Sequence, residues 1–298
     1  MANSNGWGDG ASNNNIGWGK GADNAIGWGS IQADSWAGAT DIVGTPAVDP
    51  DAQAFITAAA ITDPTQQSAI NTLVTNLKGY NIWTKMKALY PFVGGTSSTH
   101  KFNLKDPRNL DAAFRLVFNG GWTHSSTGAT PNGTNAYADT KLNPLLTLSQ
   151  NSTHISFYSR TNTDGNTSDI GLKSTGSGYT MIQAKYSNVF TAHVNEFYVF
   201  ADHSSNTNGQ GFYVGNRTGA SVRNNWKNGS KVHTSSSPSQ TQANFNFFVG
   251  ALNNAGPASA YSNRQCAFAS IGDGLTDAES ANFYTAVQAF QTTLNRNV

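Results

Sequence analysis

Cysteine occurs once, at Cys266, so no disulfide can form within the chain. Glutamate occurs only at Glu196 and Glu279, and charged residues make up 12% of 298 positions, with a formal net charge of +1. Such a balance supplies no field for gathering nucleic acid or an anionic membrane, and neither partner is expected. No stretch approaches the roughly eighteen consecutive apolar residues of a transmembrane helix, so membrane insertion is not expected. The N-terminus shows no basic segment leading into an apolar run, so a secretory signal is not visible and synthesis in a cytoplasm is expected. Five Asn-x-Ser/Thr sequons, at Asn132, Asn151, Asn166, Asn216 and Asn228, arise by chance in a chain so rich in Asn, Ser and Thr. Disorder throughout is also excluded, because 11% of residues are aromatic.

What the chain does have is a repeat. "NIGWGKGADNAIGWGS" (15–30) writes a Gly-Trp-Gly unit twice, after a looser copy beginning at Asn5. Its tryptophans are Trp7, Trp18 and Trp28, and Trp36 follows in "SWAGATDI" (35–42). Burying one tryptophan removes at most about 250 Å² from water, worth roughly 6 kcal/mol. Fixing a repeat of about ten residues costs on the order of 10–20 kcal/mol of backbone entropy. One tryptophan per repeat therefore cannot order residues 1–44. A surface outside the arm must complete it: the chain's own globular part, sister copies or another protein. A rival reading makes each repeat a glycan-stacking unit.

A linker with Pro46 and Pro50 is expected over 45–62, and a short helical neck over 63–98. In "DPTQQSAINTLVTNLKG", Asp63 is placed as N-cap, Pro64 at the first helical position and Gln66 to close a capping box. Ile70, Leu73, Val74 and Leu77 make the apolar stripe, and Gly79 stands where the helix should end. "NIWTKMKALYP" reads as a second short helix burying Ile82, Trp83, Met86 and Leu89. From about Lys101 the pattern turns to short strands: "AAFRLVF", "THISFYS", "NEFYVFA", "GFYVG", "FNFFVG" and "CAFASIG". Spacers of Gly, Asn and Ser separate them, as in an antiparallel sandwich occupying 99–298. Asn228-Gly229 is a hairpin signal. Thr276 and Glu279 open a closing helix over 277–294, with Phe283, Val287, Phe290 and Leu294 on one face.

Reacting groups are scarce. Along an extended "NEFYVFAD", Glu196 and Asp202 would share a face but stand roughly 20 Å apart, against about 5–9.5 Å for glycosidase carboxylates. No nucleophile elbow, zinc-protease motif or phosphate loop is present. His193 and His203, near strand ends, read as solvated or hydrogen-bonded, and Cys266 as a small buried hydrophobe. No catalytic residue is assigned. One loop region, "NGGWTHSSTGATPNGTNAYADT", supplies an aromatic platform, amides and a carboxylate in Trp122, His124, Asn135, Tyr137 and Asp139. These are candidate glycan-binding residues; the plainer alternative is that Trp122 and Tyr137 pack the sandwich edge while Asn and Asp make turns. Trp226 divides the same way, toward core packing.

The runs "NIWTKMKALYPFVGGTSSTHKFNLKDP", "FNGGWTHSSTGATPNGTNAYADTKLNP" and "AFASIGDGLTDAESANFYTAVQAFQTTLNRNV", with the Trp-Gly leader, resemble a group of tailed-phage virion proteins. The resemblance covers most of the chain. It implies a laminin-G or concanavalin-like jelly roll and a structural role as head fibre, capsid decoration or tail-associated fibre, without enzyme activity. It also implies a location on the virion, in a homo-oligomer (trimer or dimer), with a host surface glycan as a further partner. Residues 1–44 would dock to capsid or tail proteins, with Trp7, Trp18, Trp28 and Trp36 as anchors. Such folds often bind sugars, sometimes through calcium. No calcium-ligand pattern matches here, so no cofactor is assigned. The alternative role is a tail receptor-binding protein or a polysaccharide-degrading enzyme acting on host glycans.

Overall fold

The computed structural model describes residues 47–298 except 175, 177, 200 and 201. Trp7, Trp18, Trp28 and Trp36, expected as anchors, lie outside the described residues. Helix α1 (Pro50–Ala58) begins at Asp49, whose carboxylate accepts from the Asp51 amide, with Pro50 in the first turn. It falls inside the span expected as linker at 45–62, and corrects it. Asp49-Pro50 is the same start signal as Asp63-Pro64, and Ala52, Phe55 and Ile56 are buried.

Helix α2 (Pro64–Gly79) has Asp63 as N-cap and buries Ile70, Leu73, Val74 and Leu77. Gln66 does not close the expected box onto the backbone. Its amide donates to the Asp63 carboxylate (3.3 Å) and its carbonyl oxygen accepts from the Gly94 amide (2.8 Å). Gly79 is still helical; the left-handed residue that follows is Asn81, at φ 60°. The expected second helix is a single 3₁₀ turn at Trp83–Lys85, followed by strand β1 (Met86–Tyr90). Met86 and Leu89 face the helices, whereas Ala88 and Tyr90 face the sandwich core. A strand apolar on both faces cannot be told from a short helix by periodicity.

The remaining strands are β2 (Val117–Asn119), β3 (Trp122–Ser125), β4 (Gly128–Pro131), β5 (Tyr137–Asp139), β6 (Thr153–Ser159), β7 (Ile170–Lys173), β8 (Tyr179–Tyr186) and β9 (Val189–Glu196). Then come β10 (His203–Ser205), β11 (Gly211–Gly219), β12 (Val222–Lys227), β13 (Ser230–Ser235), β14 (Phe248–Val249), β15 (Leu252–Asn254), β16 (Ala258–Ser259) and β17 (Cys266–Gly272). Helix α3 (Asp277–Thr293) closes the chain, with the Thr276–Glu279 capping box formed as expected.

Among the described residues the strands make two sheets. One runs β13-β12-β11-β6-β17-β4-β3, with β1 also on β17; the other runs β10-β9-β8-β7-β14-β5-β2, with β15 beside β7 and β16 beside β15. Pairing is antiparallel apart from β15 on β7. The result is the expected mainly antiparallel sandwich of jelly-roll type. Three runs read as strands are trimmed. "AAFRLVF" begins as a 3₁₀ turn and passes through left-handed Phe114 (φ 58°). "FNFFVG" keeps only β14. "NEFYVFA" leaves the sheet after Glu196.

The chain from Val48 to Val298 is one compact unit in three layers. Tyr158, Phe212, Val214, Trp226 and Phe268 on one face of the first sheet pack against α1, α2 and α3. The segment 63–98, expected as a neck, is thus part of the sandwich unit. Trp226 is core, as favoured. Ile155, Phe157, Tyr213, Ala269 and Ile271 on the opposite face meet Ile170, Ile182, Phe190 and Ala192 of the second sheet. Cys266 is buried here, and burial raises its thiol pKa well above the ordinary value. Phe283 of α3 is fully buried against Phe212 and Phe268, with ring centroids at 5.2 and 6.0 Å. At the hairpin, Asn228 (φ 48°) and Gly229 (φ 75°) take the left-handed turn conformations.

Two side chains close gaps that strands leave open. Asn103 lies along β1, accepting from the Leu89 amide (2.8 Å) and donating to the Lys87 and Ala113 carbonyls (3.1 and 3.0 Å). Arg296, fully buried and with no carboxylate partner among the described residues, donates to the carbonyls of Pro91 (2.6 Å), Phe92 (2.8 Å) and Ala267 (3.0 Å) and to Gln291 Oε1 (2.6 Å). Arg296→Met keeps the bulk but strips four acceptors of their donors. It should cost about 2–4 kcal/mol, read as a shifted midpoint in urea unfolding.

Two buried histidines set an acid limit. Burial lowers the His154 pKa to about 4, against the Asp273 carbonyl, which favours the charged form. Burial and then His124 lower that of His100 to about 3. Unfolded, each binds a proton near pH 6.5 that the folded protein refuses until the lower value. Their contribution is therefore complete above pH 6.5 and lost as pH falls below it. Each should steepen the loss by up to about 1.4 kcal/mol per pH unit. Urea unfolding between pH 7 and 5 reads this, and His154→Gln should flatten the slope.

Candidate functional site

Four of the five candidate glycan residues divide between the two sheets, and Asn135 lies in a turn. Trp122 and His124 lie on β3, and Tyr137 and Asp139 on β5. Ala138, Val249, Ile170, Ile182 and Ala192 align in register and are buried between the sheets. By alternation, the neighbouring row of Asp139, Phe248, Gly171, Met181 and His193 takes the outer face. Tyr137 belongs to that face and packs on Phe248 at 4.5 Å. Asp139 is occupied by Lys141 Nζ (3.1 Å) and Asn246 Nδ2 (3.1 Å).

Trp122 and His124 instead form an aromatic wedge with Phe118, at ring distances of 5.2 and 4.7 Å from it. The Trp122 indole donates to the Asn119 carbonyl (3.1 Å) and lies over Gly250, where a Cβ would stand 2.9 Å from the ring. His124 Nδ1 meets His100 Nδ1 at 2.9 Å. Asn135 is a turn lock, accepting from the Gly121 amide and Asn132 Nδ2. Trp122, His124 and Asn135 therefore share the β3–β4 end, while Tyr137 and Asp139 project elsewhere. The plainer reading, packing and turns, describes these contacts.

A different surface gathers aromatic rings, and its root is electrostatic. Beyond its short pairing with β10, the free edge of β9 exposes the carbonyls of Ala192 and Val194. Arg223 Nη1 donates to the first (2.7 Å) and Arg217 Nε to the second (2.6 Å). Both arginines come from the opposite sheet and are fully buried. Glu196, also fully buried, lies 2.6 Å from Arg223 Nε and 3.0 Å from Arg217 Nη2, and pairs with His193 Nδ1 at 2.8 Å. Burial pulls the Arg217 pKa down, against the opposing pull of Glu196.

β9 bulges at Asn195 (φ 49°), Glu196 still pairs with Tyr179, and the chain then leaves the sheet. Phe197, Tyr198 and Val199 follow, 53%, 40% and 39% exposed. The chain returns at Asp202, whose carboxylate meets Arg223 Nη2 at 2.9 Å and accepts from Ser235 Oγ at 2.9 Å. Burial acts to raise the Asp202 pKa, but the Ser235 hydrogen bond and Arg223 prevail and hold it below the usual value. Arg223 thus grips both ends of the loop. The separation expected for Glu196 and Asp202 along a strand does not occur, because the chain leaves the sheet after Glu196 and both acids meet Arg223.

The loop places Tyr198 beside Tyr179 of β8, at 5.6 Å and 51° between rings. Lys173 of β7 sits 5.1 Å over the Tyr179 ring, with Nζ 3.2 Å from its hydroxyl. Two tyrosines, an ammonium and a neighbouring apolar run form one partly exposed patch. Reading the chain in strands missed it. The usable signal was "NEFYVF" itself, four apolar positions in succession where a half-exposed edge strand should alternate. Among the described residues, no group of three or more His, Cys, Asp or Glu is placed to hold a metal ion.

No protein-family model matches the sequence, and no curated protein matches it. Solved structures do resemble the fold. Domain 4 of AbnA, an extracellular arabinanase from Geobacillus stearothermophilus, solved with arabinotriose, aligns over 67% of this chain and 98% of that one, at 15% identity and a TM-score of 0.46. The binding domain of Paraclostridial Mosquitocidal Protein 1 aligns over 68% of this chain and 52% of that one, at 10% identity and 0.46. A Trypanosoma rangeli sialidase mutant aligns over 75% and 39%, at 8% identity and 0.47. The likeness is one of architecture.

Arg223→Met should release both ends of the loop. Chymotrypsin cleavage after Phe197 or Tyr198 should accelerate by about tenfold or more, since local opening then loses a buried ion pair. Glu196→Gln leaves two buried guanidiniums under-balanced and should cost about 3–5 kcal/mol in thermal or urea unfolding.

Proposed function

We propose that this chain is a glycan-binding display protein, with the saccharide resting on Tyr179 and Tyr198 beside Lys173. The observation that carries the reading is the Arg223 grip on both Glu196 and Asp202. Phe197, Tyr198 and Val199 are thereby presented beside a buried ion-pair anchor, which lowers the cost of holding them for a ligand. Tyrosine offers a flat apolar face for the C–H side of a sugar ring and a hydroxyl for its edge. The tyrosine faces suit a hydrogen-bonding saccharide held by contact rather than by long-range attraction.

Adhesion is favoured over hydrolysis by the state of the acids. Glu196 is buried between two arginines, and Asp202 is held by Arg223 and Ser235. Neither is free to deliver a proton to a glycosidic oxygen. On its resemblance to tailed-phage virion proteins, we further propose that the chain is a structural component of a particle. Residues 1–44 attach it to capsid or tail proteins through Trp7, Trp18, Trp28 and Trp36. The sandwich is then the exposed end.

Glycan-array binding by the full chain tests the first part. Tyr179→Ala and Tyr198→Ala should each weaken a detected saccharide by about three- to tenfold, in line with stacking contributions of roughly 0.5–1.5 kcal/mol. Binding untouched by both substitutions, in correctly folded variants, refutes this surface. Deleting residues 2–44 should abolish incorporation into particles while leaving the sandwich folded; normal incorporation refutes the anchor.

A further inference from the structure

An open cleft of about 320 Å³ lies between the single helical turn Ser97–His100 and the segment entering β2. Its lining is Ser97, Ser98, Lys101, Arg115 and the Leu116–Phe118 stretch. The Phe118 ring in that lining is held in place by the Trp122 and His124 rings behind it.

Charge in the cleft is unbalanced. Lys101 has no carboxylate partner among the described residues, and its Nζ rests 5.1 Å over the Phe102 ring. Arg115 uses Nε on Asp111 (2.8 Å) and Nη1 on Asn109 Oδ1 (3.0 Å); its Nη2 has no protein acceptor among the described residues. Lys141, the next cation, is engaged by Asp139 at 3.1 Å. Arg115 and Asp111 cancel, so Lys101 leaves one positive charge over. The rim offers the Ser97 hydroxyl, the Ser98 hydroxyl, which also meets Thr96 Oγ1 at 2.9 Å, and the guanidinium Nη2, and the Leu116–Phe118 stretch is apolar.

We propose that this cleft binds a carboxylate-bearing sugar, a uronic-acid-type residue of an acidic saccharide. The ammonium and guanidinium meet the carboxylate, the serines meet ring hydroxyls and the apolar stretch meets the C–H face. The choice of a sugar as the bearer of the carboxylate rests on the glycan reading above. The cation arrangement does not depend on it.

The test is amide NMR on the full chain, titrated separately with methyl glucuronide, methyl glucoside and acetate. Methyl glucuronide should move amides of residues 97–101 and 115–118, and bind about tenfold more tightly than either other probe. Lys101→Met, a partly exposed change that keeps the stem, should remove most of that preference. Equal response to glucuronide and acetate would make this a plain anion site and overturn the proposal. Equal response to glucuronide and glucoside would overturn the role of charge. If the cleft amides stay still while those of Tyr179 and Tyr198 respond to an array-identified saccharide, the cleft assignment falls and the glycan reading stands. If acetate and glucuronide act alike on the cleft and no saccharide moves either patch, both fall.

Discussion

A sheet that ends inside a protein leaves a row of backbone carbonyls and amides needing partners. Here the partners along β9 are guanidiniums. Arg217 and Arg223 reach across from the opposite sheet to Val194 and Ala192, and Glu196 places a carboxylate between them. Once that acid is fixed, the chain must leave the sheet there, and Asp202 comes back to the same arginine. Edge closure, charge balance and loop placement are therefore one arrangement. Its cost is the desolvation of several charges, offset by the ion pairs to Glu196 and Asp202 and the hydrogen bonds to backbone carbonyls.

That arrangement also explains where the few charges go. Arg217, Arg223, Arg264 and Arg296 are all within the interior. Arg264 repeats the theme on Asp169 at 3.0 Å and on the Thr163 carbonyl at 2.9 Å. Arginine suits such sites because its planar fork reaches several carbonyls at once and keeps its charge. Other cations sit nearer the surface, several of them in ion pairs such as Lys78–Asp49, Arg108–Asp106 and Lys231–Asp277.

Local signals in the sequence were reliable where the chemistry is local. Thr276 with Glu279, Asp63 with Pro64, and Asn228 with Gly229 each act within a few residues, and each stands where it was read. The strands "THISFYS" and "CAFASIG" survive whole because both their faces are buried. Misreadings came where distant partners decide. Met86–Tyr90 is a strand only because β17 lies beside it. Glu196 and Asp202 approach one another only because Arg223, on another strand, draws both. The division of Trp122 and His124 from Tyr137 and Asp139 follows from β3 and β5 joining different sheets, which no spacing along the chain reveals.

The pairing of β1 with β17 joins Ala88 to Ile271 and Tyr90 to Ala269. During synthesis on a ribosome, β1 waits until nearly the whole domain has emerged before its neighbour exists. Meanwhile α1 and α2 are available to fold upon each other, covering Leu73 and Phe55 before any sheet is present to receive them. Contacts spanning so much chain carry a large loop-closure entropy, and domains built on them fold slowly. Since β17 stands between β6 and β4 as well as beside β1, the first sheet cannot be completed until the C-terminal part of the chain has been made.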